Sequence, residues 1–213
     1  METNDVDWNK VKAILDRRKV TRRGHAGGFE WDDQPQEERG VVRELIKSLN
    51  ATGETNLSQP WAFKPDPPDC VAECDDGTKV AFEASEFVSE KAIRLSKKRG
   101  GGWIPKWSDD EFLRIITGIL RDKDAKTFNG GPYSRIILVI NTAETNITPE
   151  MVERLFAANR FDQPLNITDG YLIMQPRIIG LPRPGLVVIP PCPFFKMRFQ
   201  DAPQFAPASP SSW

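Results

Sequence analysis

The chain has 213 residues, 39% of them hydrophobic, and a formal net charge of −1. That length supports one substantial core with appendages, and no apolar run approaches the roughly 20 residues that a membrane helix needs. The near-neutral balance excludes a uniformly basic nucleic-acid binder, so any contact with phosphates has to come from local clusters.

In chain order, the polar, acidic start Met1-Glu2-Thr3-Asn4-Asp5 does not read as a secretory signal. Trp8 to about Lys19 has helical spacing at Trp8, Val11, Ile14 and Leu15. Thr21 to Gln36 reads as a loop and carries part of a basic cluster, Arg17-Arg18-Lys19 with Arg22, Arg23 and His25. A second helix is predicted from about Gln36 to Asn50, with Val41, Val42, Leu45, Ile46 and Leu49 on its apolar face. Ala51 to Lys64 reads as an irregular crossing. Two short runs then flank Asp75-Asp76-Gly77, the signal for a β-hairpin.

Beyond the hairpin, Phe87 to Ser96 reads as a short helix or a loop. Lys97 to Lys106, with its Gly and basic residues, reads as coil, and Trp103 and Trp107 follow its Gly-rich part, Lys97 to Gly102. Ser108 and Glu111 form a capping box for a helix to about Lys126, whose buried stripe is Phe112, Ile115, Ile116, Ile119 and Leu120. Arg135 to Ile140 is apolar on both faces, as a strand inside a covered sheet requires. Thr148-Pro149 opens a helix ending near Asn159. Tyr171–Met174 and Leu186–Ile189 read as strands. From Pro190 onward prolines exclude long regular elements, while Phe194, Phe195, Phe199 and Phe205 favour partial docking on the body. The chain divides into an N-terminal helix and basic loop over 1–35, a core over 36–189, and a Pro/Phe-rich tail over 190–213.

The chemistry concentrates at the hairpin. Asp69 precedes one strand and Glu83 lies in the other, so pairing the strands brings two carboxylates to its open end. Such a pair suits a hard divalent cation, Mg²⁺ or Mn²⁺. Other centres are less well supplied. Three cysteines and one histidine neither pair evenly nor assemble a structural zinc site around Cys70-x3-Cys74, and a reducing, cytoplasmic setting is expected. The NTP-binding loop pattern is missing, and His25 has no fitting nucleophile for a triad.

Pro68-Asp69 followed by Glu83-Ala84-Ser85-Glu86 resembles the PD-(D/E)XK nuclease superfamily, in its E-x-[S/T]-E variant. The resemblance runs from about Glu38 to Asn141. It implies a restriction-endonuclease-like α/β fold, with an αβββαβ core and a mixed central sheet flanked by helices. It also implies a Mg²⁺-dependent endonuclease acting on nucleic acid, with DNA ahead of RNA. In that reading Asp69, Glu83 and the Ala84 carbonyl hold the metal. Glu44 joins them from the second helix, with Glu37 and Glu38 as alternatives. Glu86 binds a second metal or holds a lysine.

Ser85 departs from the family's usual lysine, which orients the attacking water and steadies developing negative charge. Lys123 and Lys126, late in the helix opened at Ser108, are the substitutes, with Lys91 a weaker one. Lys97, Lys98 and Arg99, together with Arg22 and Arg23, are the expected phosphate contacts. Two alternatives remain at this stage. One is a binding module of the same fold that has lost its chemistry. The other is a regulatory protein whose tail engages a partner protein or a second copy in a homodimer.

Overall fold

The computed structural model describes residues 34–99, 105–144, 146–174 and 192–200. Helix α1 spans Gln34–Ala51. The hairpin region supplies strands β1 (Trp61–Ala62), β2 (Cys70–Glu73) and β3 (Lys79–Glu86). Helices α2 (Glu90–Arg99) and α3 (Asp109–Asp124) lead to strand β4 (Arg135–Thr142). Helix α4 (Pro149–Ala158) and strands β5 (Asp169–Met174) and β6 (Phe194–Lys196) complete the order. The six strands form a single mixed sheet in the order β1-β2-β3-β4-β5-β6.

The hairpin forms where the Asp-Gly signal lies. Gly77 adopts φ +80°, a conformation that favours glycine, and the Asp76 side chain accepts from the Thr78 N–H at 2.9 Å. Pairing from β1 to β3 is antiparallel, with Cys70 opposite Phe82 and Glu73 opposite Lys79. β3, β4 and β5 then run parallel, each connection crossing through helices. Caps define two of those helices. Ser108 accepts from the Glu111 N–H at 3.1 Å, and Thr148 accepts from the Met151 N–H at 3.2 Å with Pro149 at the first turn.

Both sheet faces are covered, as the apolar β4 requires. Val42, Leu45, Ile46 and Leu49 of α1 pack on Phe82, Ile137, Val139 and Ile173. On the other face, Phe112, Ile116 and Leu120 of α3, with Val152, Leu155 and Phe156 of α4, pack on Leu138, Ile140 and Leu172. Strand alternation therefore feeds two separate cores from one sheet.

Three segments differ from the sequence reading. The stretch expected as an irregular crossing contains β1, which gains two backbone pairings along β2. The stretch from Lys97, expected as coil, is helical through Arg99. Ser89 opens α2 by accepting from the Ala92 N–H at 3.1 Å. The tail supplies β6, an edge strand antiparallel to β5, with Pro193 just outside it at a position that an edge tolerates. The predicted helix at Trp8–Lys19, the strand at Leu186–Ile189 and the tail beyond Gln200 lie outside the described residues. Among the described residues no helix is long and apolar enough to cross a membrane.

Candidate metal centre

Register explains how the two acids meet. Cys70 faces Phe82, so one further step along the antiparallel ladder sets Asp69 opposite Glu83. Val80 and Phe82 point into the α1 core, so alternation turns Glu83 and Ser85 to the other face, the side of α3. The Ala84 N–H donates to Asp69 Oδ2 at 2.7 Å and locks the acids together. Asp66, in the loop before β2, joins them: single carboxylate oxygens of Asp66, Asp69 and Glu83 lie within 4.8 Å of one another.

Two lysines from the end of α3 enter the same site. Lys123 Nζ donates to Glu83 Oε1 at 2.6 Å and to the Ala84 carbonyl at 2.8 Å. Lys126 Nζ donates to Glu83 Oε1 at 2.5 Å. Glu83 is fully buried, and its second oxygen, Oε2, has no hydrogen-bond partner among the described residues. A buried, unpartnered carboxylate oxygen fits a hard cation, which bonds to oxygen and needs no proton.

The electrostatics match this crowding. Burial, followed by the negative charge of Glu83, raises the Asp69 carboxyl to about 7. Glu38 adds to the rise, while the Ala84 N–H and Lys123 oppose it. At Lys126, burial disfavours the charged form, but the hydrogen bond and charge of Glu83, with Asp66 and Asp69, outweigh it and raise the pKa. Burial, then the charge of Asp69, pushes the neighbouring Cys70 thiol up to about 12, a setting for a packed thiol and not for a reactive thiolate.

The other expected residues fall into distinct places. Ser85 is half-buried on the Glu83 face. Glu86 is half-buried in register with Asn141, and alternation places it on the α1 face, away from the acids. The Ala84 carbonyl, expected to hold the metal, accepts from Lys123. Glu44 is not brought to the acids. Its carboxylate is 2.7 Å from Lys47 on the helix surface, and its charge acts on Cys192 beside β6. An α1 acid whose charge does reach Asp69 is Glu38, one helical stretch earlier, where Gln34 donates to it at 2.7 Å. Lys98 is exposed on the last turn of α2, with Lys97 and Arg99 beside it in the backbone, and Lys91 is exposed on the first turn. Arg22 and Arg23 lie outside the described residues.

Two contributors went unread in the sequence. Asp66 sits in Lys64-Pro65-Asp66-Pro67-Pro68, and the only available signal was an acid inside a proline run abutting the motif. Asn129 fixes that run through its carbonyls. Its N–H donates to the Pro67 carbonyl at 2.9 Å, and its Nδ2 reaches the Pro67 and Pro65 carbonyls at 3.2 and 3.4 Å. In sequence, Asn129-Gly130-Gly131-Pro132 carries the signal of a helix breaker and none of a clamp.

Compared with known proteins, the chain matches no family model, no curated protein and no solved structure.

Proposed function

We propose that this chain is a Mg²⁺-dependent nuclease that hydrolyses phosphodiester bonds, in DNA ahead of RNA, on a restriction-endonuclease-like core. The observation carrying the reading is the convergence of Asp69 and Glu83 from adjacent strands with Lys123 donating to Glu83 and to the Ala84 carbonyl. An antiparallel β1–β3 meander, a parallel β4 and a helix on each face support the fold assignment.

In this reading Asp69 and Glu83 hold the metal. Bound there, Mg²⁺ neutralises phosphoryl charge and makes its coordinated water more acidic. Lys123 takes the part that Ser85 is not equipped for: its ammonium, fixed by two oxygens, sits where it orients the attacking water and steadies negative charge. The Ala84 N–H keeps Asp69 aimed at the site. Lys97, Lys98 and Arg99, the last three residues of α2, are the proposed contacts to phosphates outside the reacting group.

The deciding experiment incubates the full chain with supercoiled plasmid, linear duplex, single-stranded DNA and RNA in Mg²⁺, Mn²⁺ or EDTA. Metal-dependent cleavage by wild type that is lost in Asp69→Asn and Glu83→Gln is the expected outcome. No cleavage of any substrate under either metal overturns it.

One observation favours a second reading, a binding module of the same fold without chemistry. Both Lys123 and Lys126 already place ammonium groups on Glu83 Oε1, so the protein supplies its own cations to that acid. That module would bind nucleic acid, or a protein partner, equally well in EDTA and in Mg²⁺.

A further inference from the structure

The two lysines at the acid cluster are held differently. Lys123 lies in the last turn of α3, its side chain 21% exposed, and divides its hydrogen bonds between Glu83 and the Ala84 carbonyl. Lys126 lies past the Ala125 cap, 34% exposed, donates to Glu83 Oε1, and lies within the fields of Asp66 and Asp69. A flexible four-carbon stem outside the helix can retract into water without disturbing any backbone hydrogen bond of α3.

The acids set the charge that has to be matched. Asp66, Asp69 and Glu83 bring three carboxylates together, and Glu83 Oε2 is buried without a donor. With all three carboxylates ionised, as metal ligation requires, and Lys123 in place, three negative charges and one positive leave a deficit that one divalent cation matches. Retaining Lys126 as well would overfill a partly buried site with positive charge, which is costly in low dielectric.

Resting on the metal-centre reading above, we propose that the cation takes Asp66, Asp69 and Glu83 as its protein ligands and displaces Lys126 on entry. Lys123 stays on the Ala84 carbonyl, so Asp66 takes the place that the carbonyl was expected to fill. Lys126 is then a resident counter-ion that keeps the acids together until metal arrives. It competes with the metal and does not help it.

The test is a Mn²⁺ titration of the full, EDTA-stripped chain at fixed pH and ionic strength, followed by calorimetry and by loss of the free-ion electron paramagnetic resonance signal. Variants are Lys126→Gln, Asp66→Asn and Asp69→Asn, with Lys106→Gln, an exposed lysine on the coil before α3, as the charge control. Melting each variant in EDTA checks that it is folded. Removing the competitor is expected to tighten Mn²⁺ about tenfold in Lys126→Gln, and losing a ligand to weaken it at least about tenfold in Asp66→Asn, each near 1.4 kcal/mol. Lys106→Gln is expected to stay within about twofold of wild type, a minor change on that scale. Lys126→Gln binding no tighter than its control, or Asp66→Asn binding as wild type does, overturns the proposal. If Asp69→Asn still abolishes binding in that case, the metal-centre reading stands. Wild type failing to bind Mn²⁺ at all removes both.

Discussion

The backbone N–H of Ala84 donates to Asp69 Oδ2 at 2.7 Å, so the strand that presents one acid of the site also holds the other. The contact fixes the geometry without curing the electrostatics, because burial and the adjacent Glu83 keep the Asp69 carboxyl near 7. The folded-state value lies above the ordinary 3.8, so the folded chain binds the extra proton more tightly than the unfolded chain does. Stability from this group is therefore full below about 4 and is lost as pH rises through about 7. Asp69→Asn keeps an oxygen for the Ala84 N–H and removes the charge. We expect it to melt higher than wild type at pH 8–9, by on the order of 1–2 kcal/mol once solvent screening reduces the full shift, and to match wild type near pH 4. Melting curves in EDTA across that range decide it. An unchanged pH slope in the variant rules the effect out.

Lys123 and Glu83 are 40 positions apart in sequence and 2.6 Å apart in space. Lys123→Ala is expected to lower metal-dependent cleavage by about 10²-fold or more, the usual scale for a positioned proton-handling or charge-stabilising group. Lys123→Arg is expected to restore little of it, since a planar guanidinium does not fit the point between the Glu83 oxygen and the Ala84 carbonyl. A single-turnover cleavage assay at saturating metal separates this from weakened metal binding. Full activity in Lys123→Ala would return the lysine to a helix-end role.

How much of this was legible follows from which interactions are local. The hairpin, the Ser108 and Thr148 caps and the two-faced β4 each depend on patterns within a few residues, and the sequence carries those patterns directly. The pairing of Asp69 with Glu83 followed from the turn, because an antiparallel register propagates from it. Lys123 and Lys126 were legible as candidates because α3 had a readable start and stripe. Glu44 and Glu38 are alike in sequence, because nothing in a single amphipathic helix says which of its polar positions overhangs the neighbouring strand's end. β6 was hidden for a similar reason: three residues at a sheet edge draw their order from Tyr171, Leu172 and Ile173, not from their own pattern. Asp66 depends on a long-range clamp and left the weakest trace.

That clamp gives a separate prediction. Asn129 holds the Pro65 and Pro67 carbonyls, and Gly130 beside it has φ +76°, where an added Cβ would run into the Phe63 ring. Asn129→Ala keeps the backbone N–H on the Pro67 carbonyl and loses only the side-chain bonds, an expected cost of about 0.5–1.5 kcal/mol, while Gly130→Ala costs more through backbone strain and overlap. Because the clamp holds the residues on either side of Asp66, Mn²⁺ affinity in Asn129→Ala is expected to fall several-fold while the fold persists. Equal stability and metal affinity in Asn129→Ala would show that the proline run holds its own shape.

Asp124, the last residue of α3, ties the helix that delivers the lysines to the approach of β5. Its carboxylate accepts from the backbone N–H groups of Leu165, Asn166 and Ile167 at 2.8, 2.8 and 2.9 Å. Three donors on one acid form an anion nest that an amide fills poorly, since Asn offers one acceptor oxygen and an NH₂ that repels a facing donor. Asp124→Ala is expected to destabilise the chain by about 1–3 kcal/mol, and Asp124→Asn by part of that. With the end of α3 released, Lys123 and Lys126 lose their fixed approach to Glu83. Cleavage should then fall more steeply than stability alone explains, at temperatures where the variant remains folded. Urea titration paired with activity at matched folded fraction measures both. Loss of stability with unchanged activity per folded molecule would separate the loop anchor from the site.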